Sequence, residues 1–304
     1  MKKHKMKKTA EDYIIDTIVF AISAVVFIAT VYPFYYSLVI SFNNGIDASS
    51  GGIFFWPRKF TIDNYLAVFS NQQLLNGFAI TILRTVIGTF ASLLVTGLFA
   101  YSLSYKDLMF KRFYTALMII AMYFSGGIIP YFILLKKLAL MDTFWVYIIP
   151  NLIGIFNVII MINFFKEIPP SLKEAAKIDG ANDLTIFFKI IIPVSMPVFA
   201  TIALFTGVGH WNNWFDAAYF VTDKNLKTIA YILMQLINSA DLTSVQGGIS
   251  TVSAEKSAAV GYRTFTAETI RMATMIIVTI PIICVYPFLQ KYFVKGIMVG
   301  SVKE

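Results

Sequence analysis

Thr17–Ile46, Phe113–Leu135, Thr143–Phe165, Ile190–Phe215 and Met272–Gln290 are apolar stretches that each run for about 20 residues or more without a single Asp, Glu, Lys or Arg. A helix needs about 20 apolar residues to cross the hydrocarbon of a bilayer, and a backbone in that medium must satisfy its own hydrogen bonds. Each stretch is therefore expected to supply one membrane-spanning helix. Arg84 divides a sixth apolar region, and the polar lead-in through Asn71, Gln72, Gln73 and Asn76 places that span at Gly77–Leu103, with Arg84 inside it. The composition agrees, at 58% hydrophobic and 14% charged residues, where a soluble domain has roughly 45–50% and 25%. The predicted fold is all-α, a polytopic membrane protein with six transmembrane helices at about residues 17–42, 77–103, 113–135, 143–165, 190–220 and 272–294.

The net charge of +8 does not point to nucleic acid, because cytoplasmic loops collect Lys and Arg in any membrane protein. A lone Cys284 excludes an internal disulfide, and His4 and His210 are too few and too far apart for a histidine metal cage. The N-terminal MKKHKMKK is followed by an apolar run too long for a signal peptide, so the first helix is expected to be retained. With both termini inside, 15 of the 25 basic residues fall on the cytoplasmic side. Residues 1–16 and 295–304 are then cytoplasmic, and the transmembrane domain of 17–294 has long outer segments at Asn43–Asn76 and 221–271. Both are expected to be structured, and Val221–Arg271 to form part of a dock for a soluble partner. No internal repeat or second soluble domain is visible.

The inner segment between the fourth and fifth spans differs from the other loops. Residues 169–197 read PPSLKEAAKIDGANDLTIFFKIIIPVSMP. Ser171 followed by Glu174 predicts a capping box, with Pro170 just before it, and Gly180 stands where a left-handed residue ends a helix. A short helix is expected over Leu172–Asp179. Asn182 or Asp183 can cap a second helix whose apolar face (Leu184, Phe187, Phe188, Ile191) lies along the inner membrane surface, and Pro193 marks the entry to span five. The inner loop 169–193 is thus a protruding helix-turn-helix knob.

This segment resembles the EAA loop of the permease subunits of ABC importers: Glu174, Ala175, Ala176, Gly180, Ile190 and Pro193 fit its spacing, with Ile192 replacing the usual leucine. Ala100-Tyr101-Ser102-Leu103, Asp179-Gly180-Ala181, Trp211-Asn212-Asn213-Trp214 and the tail from Gln290 to Gly296 look like the MalG-like carbohydrate importers. TILRTVIGT, YFSGGIIPYF, GHWNNWFDA and QKYFVKGIMVGSVKE are similar to the YtcP and LplC branch, associated with oligosaccharides from polysaccharides such as pectin. The resemblance implies a type I importer permease of the MetI-like fold in a bacterial plasma membrane. It also implies a second homologous permease, two ATPase subunits, and an extracellular sugar-binding protein or lipoprotein. The coupling helix, through Glu174, Ala175, Ala176, Lys177, Asp179 and Gly180, would dock on an ATPase. The chain carries no G-x-x-x-x-G-K-[ST], so it is expected to be non-catalytic and to bind no cofactor, with ATP and Mg used by the partner.

Several residues have two readings. Trp211, Asn212, Asn213 and Trp214 either stack on and bond sugars or form an interfacial belt with interhelical amide bonds. Gly126 and Gly127, beside Tyr123 and Phe124, either unwind a helix next to the pathway or allow close packing. Arg84, with no carboxylate expected within the spans, either faces the cavity and favours acidic oligosaccharides, snorkels outward, or bonds helix-end carbonyls or the partner permease. His210 reads as a hydrogen-bonded structural histidine. The alternative class, an ion-coupled secondary transporter, calls for inverted repeats and carboxylates at span centres. An intramembrane enzyme would need a catalytic motif such as G-x-S-x-G or H-E-x-x-H, and none occurs.

Overall fold

The computed structural model describes residues 10–245 and 265–300, with side-chain surroundings for residues 11–238 and 265–287. Residues 246–264 of the expected docking segment Val221–Arg271, and residues 1–9 and 301–304 of the two terminal segments, lie outside these. Among the described residues the chain is helical, with one isolated β-bridge between Asn43 and Phe60. It divides into two compact units, Met1–Ser70 with Ser239–Ile277, and Asn71–Asn238 with Val278–Glu304.

The first unit holds α1 (Ala10–Ser41), α2 (Gly45–Ser49) and α3 (Asp63–Ser70). Helix α1 is apolar on every face, and from Tyr13 to Phe34 the chain leaves its large side chains exposed. Only its end, through Tyr35, Tyr36, Val39 and Ile40, packs, against Ala48, Ile53 and Met272. A helix hydrophobic all round is stable in hydrocarbon or against a partner, not in water. The following loop is structured, as expected: Asn64 Nδ2 donates to the Ser41 and Asn43 carbonyls at 2.8 and 2.9 Å, and Arg58 donates to Asp47 and to the Gly51 carbonyl. Hydrogen bonds from Asn43 and Arg58 hold the Asp47 carboxyl below the usual carboxylate range.

The second unit is built on α4 (Gln72–Ser104), a 33-residue helix of about 50 Å. The polar run expected to precede this span is its first turns, because the Asn71 side chain accepts from the Gln73 and Leu74 amides and starts the helix there. Helices α5 (Lys111–Tyr123), α6 (Ile128–Lys137), α7 (Ile155–Glu167), α8 (Pro170–Ile178), α9 (Asp183–Ile186), α10 (Ile192–Val194), α11 (Met196–Asn212) and α12 (Phe215–Tyr219) follow. Helices α13 (Ile229–Val245) and α14 (Ala267–Gly300) complete the order.

Among the described residues, only α1, α4 and α14 are single helices long and apolar enough to cross a membrane; the other three expected spans are each bent. Span three breaks by 118° between α5 and α6. There Gly127 has φ +80° and Pro130 follows inside the first turn of α6, so the glycines unwind the helix rather than merely packing. Span four bends by 45° between two 3-10 turns over Phe144–Asn151 and α7, where Pro150 and Gly154 interrupt the backbone. Span five bends by 85° at Ser195, between Pro193 and Pro197.

Helix α4 packs through small residues. Gly77, Thr81, Gly88, Ser92, Thr96, Gly97 and Ala100 are all buried. A Cβ on Gly88 would lie 2.6 Å from His210 Nε2, and one on Gly97 3.1 Å from the Phe199 ring, so the two glycines set how closely α11 approaches. Below this contact a core of Tyr101, Met161, Phe165, Ile186, Phe187, Ile191 and Phe199 joins α4, α7, α9 and α11.

Candidate functional site

The knob forms, with different local chemistry from the expectation. Helix α8 starts two residues earlier than a capping box would allow: Pro169 flanks it, Pro170 is its first residue, and no side chain caps it. Proline's fixed φ suits that first position, which places Ser171 inside the helix where its hydroxyl cannot cap the entry. The other end is as expected. Gly180 has φ +79°, its N–H donates to the Lys177 carbonyl at 3.0 Å, and Ala181 N–H reaches back to the Ala176 carbonyl at 2.9 Å. These two bonds make a Schellman turn that closes α8. Asn182, not Asp183, then caps α9 by accepting from the Thr185 amide at 2.8 Å.

The apolar face expected behind the knob is corrected in part. Residues 187–191 form a π-helical turn, which advances the register, so Ile186, Phe187 and Ile191 go into the core while Leu184 and Phe188 stay exposed. On α8, Ala176 is buried in the same core, whereas Glu174, Ala175, Lys177, Asp179 and Gly180 are exposed. Leu172, Ala175 and Ile178 share the outward face, and Ile178 is 86% exposed.

Two tyrosines at the end of α4 hold the knob in place. Lys173 Nζ lies 5.2 Å from the Tyr101 ring and 5.0 Å from the Tyr105 ring, and Lys177 lies 5.4 Å from Tyr105. Tyr105 donates to Asp183 at 2.9 Å and shares a hydrogen bond with Tyr101, and Lys177 pairs with Asp183 at 3.5 Å. Burial lowers the Lys173 ammonium, an effect opposed by nearby Asp183, and raises the Tyr105 phenol. Lys173→Met keeps the apolar stem and removes the charge, so it should loosen α8 by about 1 kcal/mol, with roughly fivefold faster amide exchange in that helix. Unchanged exchange would mean the stack contributes nothing.

Arg84 is placed by a carboxylate the sequence reading did not allow for. Its side chain is fully buried and forms an ion pair with Asp216 on α12. Arg84 Nη1 donates to the Asn213 carbonyl at 3.0 Å, and the guanidinium lies 4.6 Å from the Tyr147 ring centroid. Asp216 comes within reach because α11 stops at Asn212 and the chain turns before α12, with the Asn213 side chain accepting from the Asp216 amide at 3.2 Å. The expectation that Arg84 lacks a carboxylate is therefore wrong, and it does bond a carbonyl at a helix end.

The remaining pathway residues separate. Trp211 is buried, and its Nε1 donates to the Val278 carbonyl at 3.1 Å, an interhelical tie. Asn213 is half-buried and serves Arg84 and Asp216, while Asn212 and Trp214 are exposed. Tyr123, 76% exposed, and Phe124 sit at the α5–α6 break, where Ser125, Gly126, Gly127, Tyr131 and Phe215 line a cavity of about 560 Å³. His210 is buried against Gly88. Together with Arg84, Ser92, Asn157, Thr206 and Asn213 it lines a smaller polar cavity of about 220 Å³.

Residues 88–299, which include the knob and the lining of the polar cavity except Arg84, match the family described as binding-protein-dependent transport system inner membrane component. The chain belongs to that family. The polygalacturonan/rhamnogalacturonan transport system permease protein YtcP of Bacillus subtilis (strain 168) is 37% identical over 288 residues, which is 95% of this chain and 98% of the relative. Protein LplC of the same organism is 38% identical over 276 residues, 90% of each chain. One chain of the crystal structure of a bacterial ABC transporter involved in the import of the acidic polysaccharide alginate superposes with a TM-score of 0.85 at 29% identity, covering 95% of this chain and 100% of that one. Members of this family are non-catalytic membrane permeases, and so is this chain. The ion-coupled alternative falls with that assignment.

The sequence reading missed Asp216, Tyr105, Lys173 and Ile178, and offered Asp183 as a cap where it instead accepts from Tyr105 and pairs with Lys177. A signal existed for Arg84: Gly77, Thr81, Arg84, Gly88, Ser92 and Thr96 recur every three or four residues, which puts the arginine on the face of α4 that small residues mark as packed.

Proposed function

We propose that this chain is one of two homologous permease subunits of an ATP-driven, binding-protein-dependent importer of oligosaccharides cut from acidic polysaccharides of the pectin type. It would sit in a bacterial plasma membrane with the α8 knob on the cytoplasmic side. The observation that carries the coupling role is the outward apolar face of Leu172, Ala175 and Ile178 on a helix that is otherwise charged and firmly rooted. An exposed Ile178 on a short helix held rigid by its Schellman turn and by Tyr105 is the surface that an ATPase groove can grip.

ATP, with Mg, would be hydrolysed by two partner subunits. Closure of that pair draws the knobs of the two permeases together, and the rooted core passes the motion to α4 and α11. The pathway then alternates between inward-open and outward-open because the ATP-bound motor contacts the two states differently. The substrate class rests on the polygalacturonan/rhamnogalacturonan permease and on the alginate importer, both similar along nearly the whole chain.

Deleting the gene should abolish uptake of short galacturonate oligomers and leave glucose uptake intact, and the unaltered chain should restore it. Normal oligogalacturonate uptake by the deletion strain would remove the substrate assignment.

A further inference from the structure

The polar cavity beside Arg84 lies among α4, the turn before α7, α7 and α11. Asn151 and Gly209 at its edge are exposed, whereas Ser92 and His210 inside are buried. In a membrane interior, a space lined by hydrogen-bonding groups is held by something that bonds them back. Arg84 Nε, on the cavity's lining, is completely buried without a hydrogen-bond partner. At about 220 Å³ the cavity has the volume of roughly seven waters, which is the scale of one pyranose ring.

Its chemistry is neutral. Arg84 is the cavity's one charged lining group, and it is compensated by Asp216, with each terminal nitrogen already donating, one to Asp216 and one to the Asn213 carbonyl. Asp216 already supplies the counter-charge, so the guanidinium presents no net positive charge to a uronate carboxylate, and its unpartnered Nε–H is left to donate to a neutral oxygen. The other groups, the amides of Asn157 and Asn213, the hydroxyls of Ser92 and Thr206 and the imidazole of His210, each donate and accept, the pairing that sugar hydroxyls require.

We infer that this cavity receives the hydroxyl face of one sugar residue of the translocating oligosaccharide, and that it does not read the uronate carboxyl. The inference rests on the proposed importer function and reverses the selectivity role that the sequence suggested for Arg84.

Since Cys284 is the chain's lone cysteine, Asn157→Cys in a Cys284→Ser background gives a unique thiol at the cavity. In the complete importer in lipid nanodiscs, trigalacturonate and its fully methyl-esterified form should both slow thiol labelling, and to a similar extent. A carboxylate held by the arginine would instead separate the two probes by about tenfold. In proteoliposomes, Thr206→Val should lower trigalacturonate uptake by about tenfold while Thr206→Ser, which keeps the hydroxyl, restores it.

Protection by the free acid alone would overturn the inference in favour of carboxylate recognition. Absence of protection with unimpaired uptake in Thr206→Val would overturn it in favour of a cavity that holds only water. If the importer carrying the unaltered chain takes up no trigalacturonate, the functional assignment fails first and the inference fails with it.

Discussion

Arg84→Gln should cost the protein about 3–5 kcal/mol, enough to deplete it from the membrane whatever sugar is supplied. The reason is the buried pair: glutamine leaves the Asp216 carboxylate without its counter-charge and the Asn213 carbonyl with a weaker donor. Asp216→Asn should be nearly as damaging, because it strands the guanidinium in the same place. Replacing both, as Arg84→Met with Asp216→Leu, should recover much of the loss, since two apolar side chains need no compensation. Thermal unfolding of the purified variants measures the coupling. Additive losses, or an Arg84→Gln protein as stable as the unaltered chain, would show that the pair is not the structural tie between α4 and α12 that the geometry indicates.

Gly180→Val should leave the folded bundle intact and reduce transport severely. A Cβ at Gly180 meets nothing within 4 Å, so no clash reaches the core. The cost is wholly in the backbone: at φ +79° a β-branched residue is strained by roughly 1–2 kcal/mol, comparable to what holds a nine-residue helix in one orientation. Relief of that strain breaks the Schellman bonds and swings α8, with Leu172, Ala175 and Ile178, away from its docking position. Gly180→Asn should fall between the two, because asparagine tolerates left-handed backbone better than valine. ATP hydrolysis stimulated by loaded binding protein, measured in proteoliposomes, should rank glycine above asparagine above valine. Equal stimulation by all three would remove the knob from the coupling path.

Both variants show where sequence reading carried and where it stopped. Gly180 was legible because a left-handed helix end is a local property: the glycine, the helix before it and the capped helix after it all lie within about a dozen residues of chain. The position of Arg84 within a span was equally legible. Its partner was not, because Asp216 lies 132 residues away and reaches Arg84 only after α11 ends at Asn212. The π-turn at 187–191 had the same effect on the second knob helix. A period of 3.6 put Leu184, Phe187, Phe188 and Ile191 together along the membrane surface, whereas through the wider turn Phe187 and Ile191 enter the core and Leu184 and Phe188 stay exposed.

The sequence by itself determined the all-helical membrane class, the approximate places of the apolar segments, the left-handed glycine of the knob and the family. Each of these depends on composition, on the length of apolar runs or on motifs within a few turns of helix, and the hydrocarbon solvent makes such local rules strict. Tertiary structure alone decided that Trp211 ties α11 to Val278, that Lys173 lies over Tyr101 and Tyr105, and that Arg84 is neutralised. Those outcomes turn on which side chains meet across helices far apart in the chain, and a buried charge or indole takes its partner from whatever the packing brings within about 3 Å.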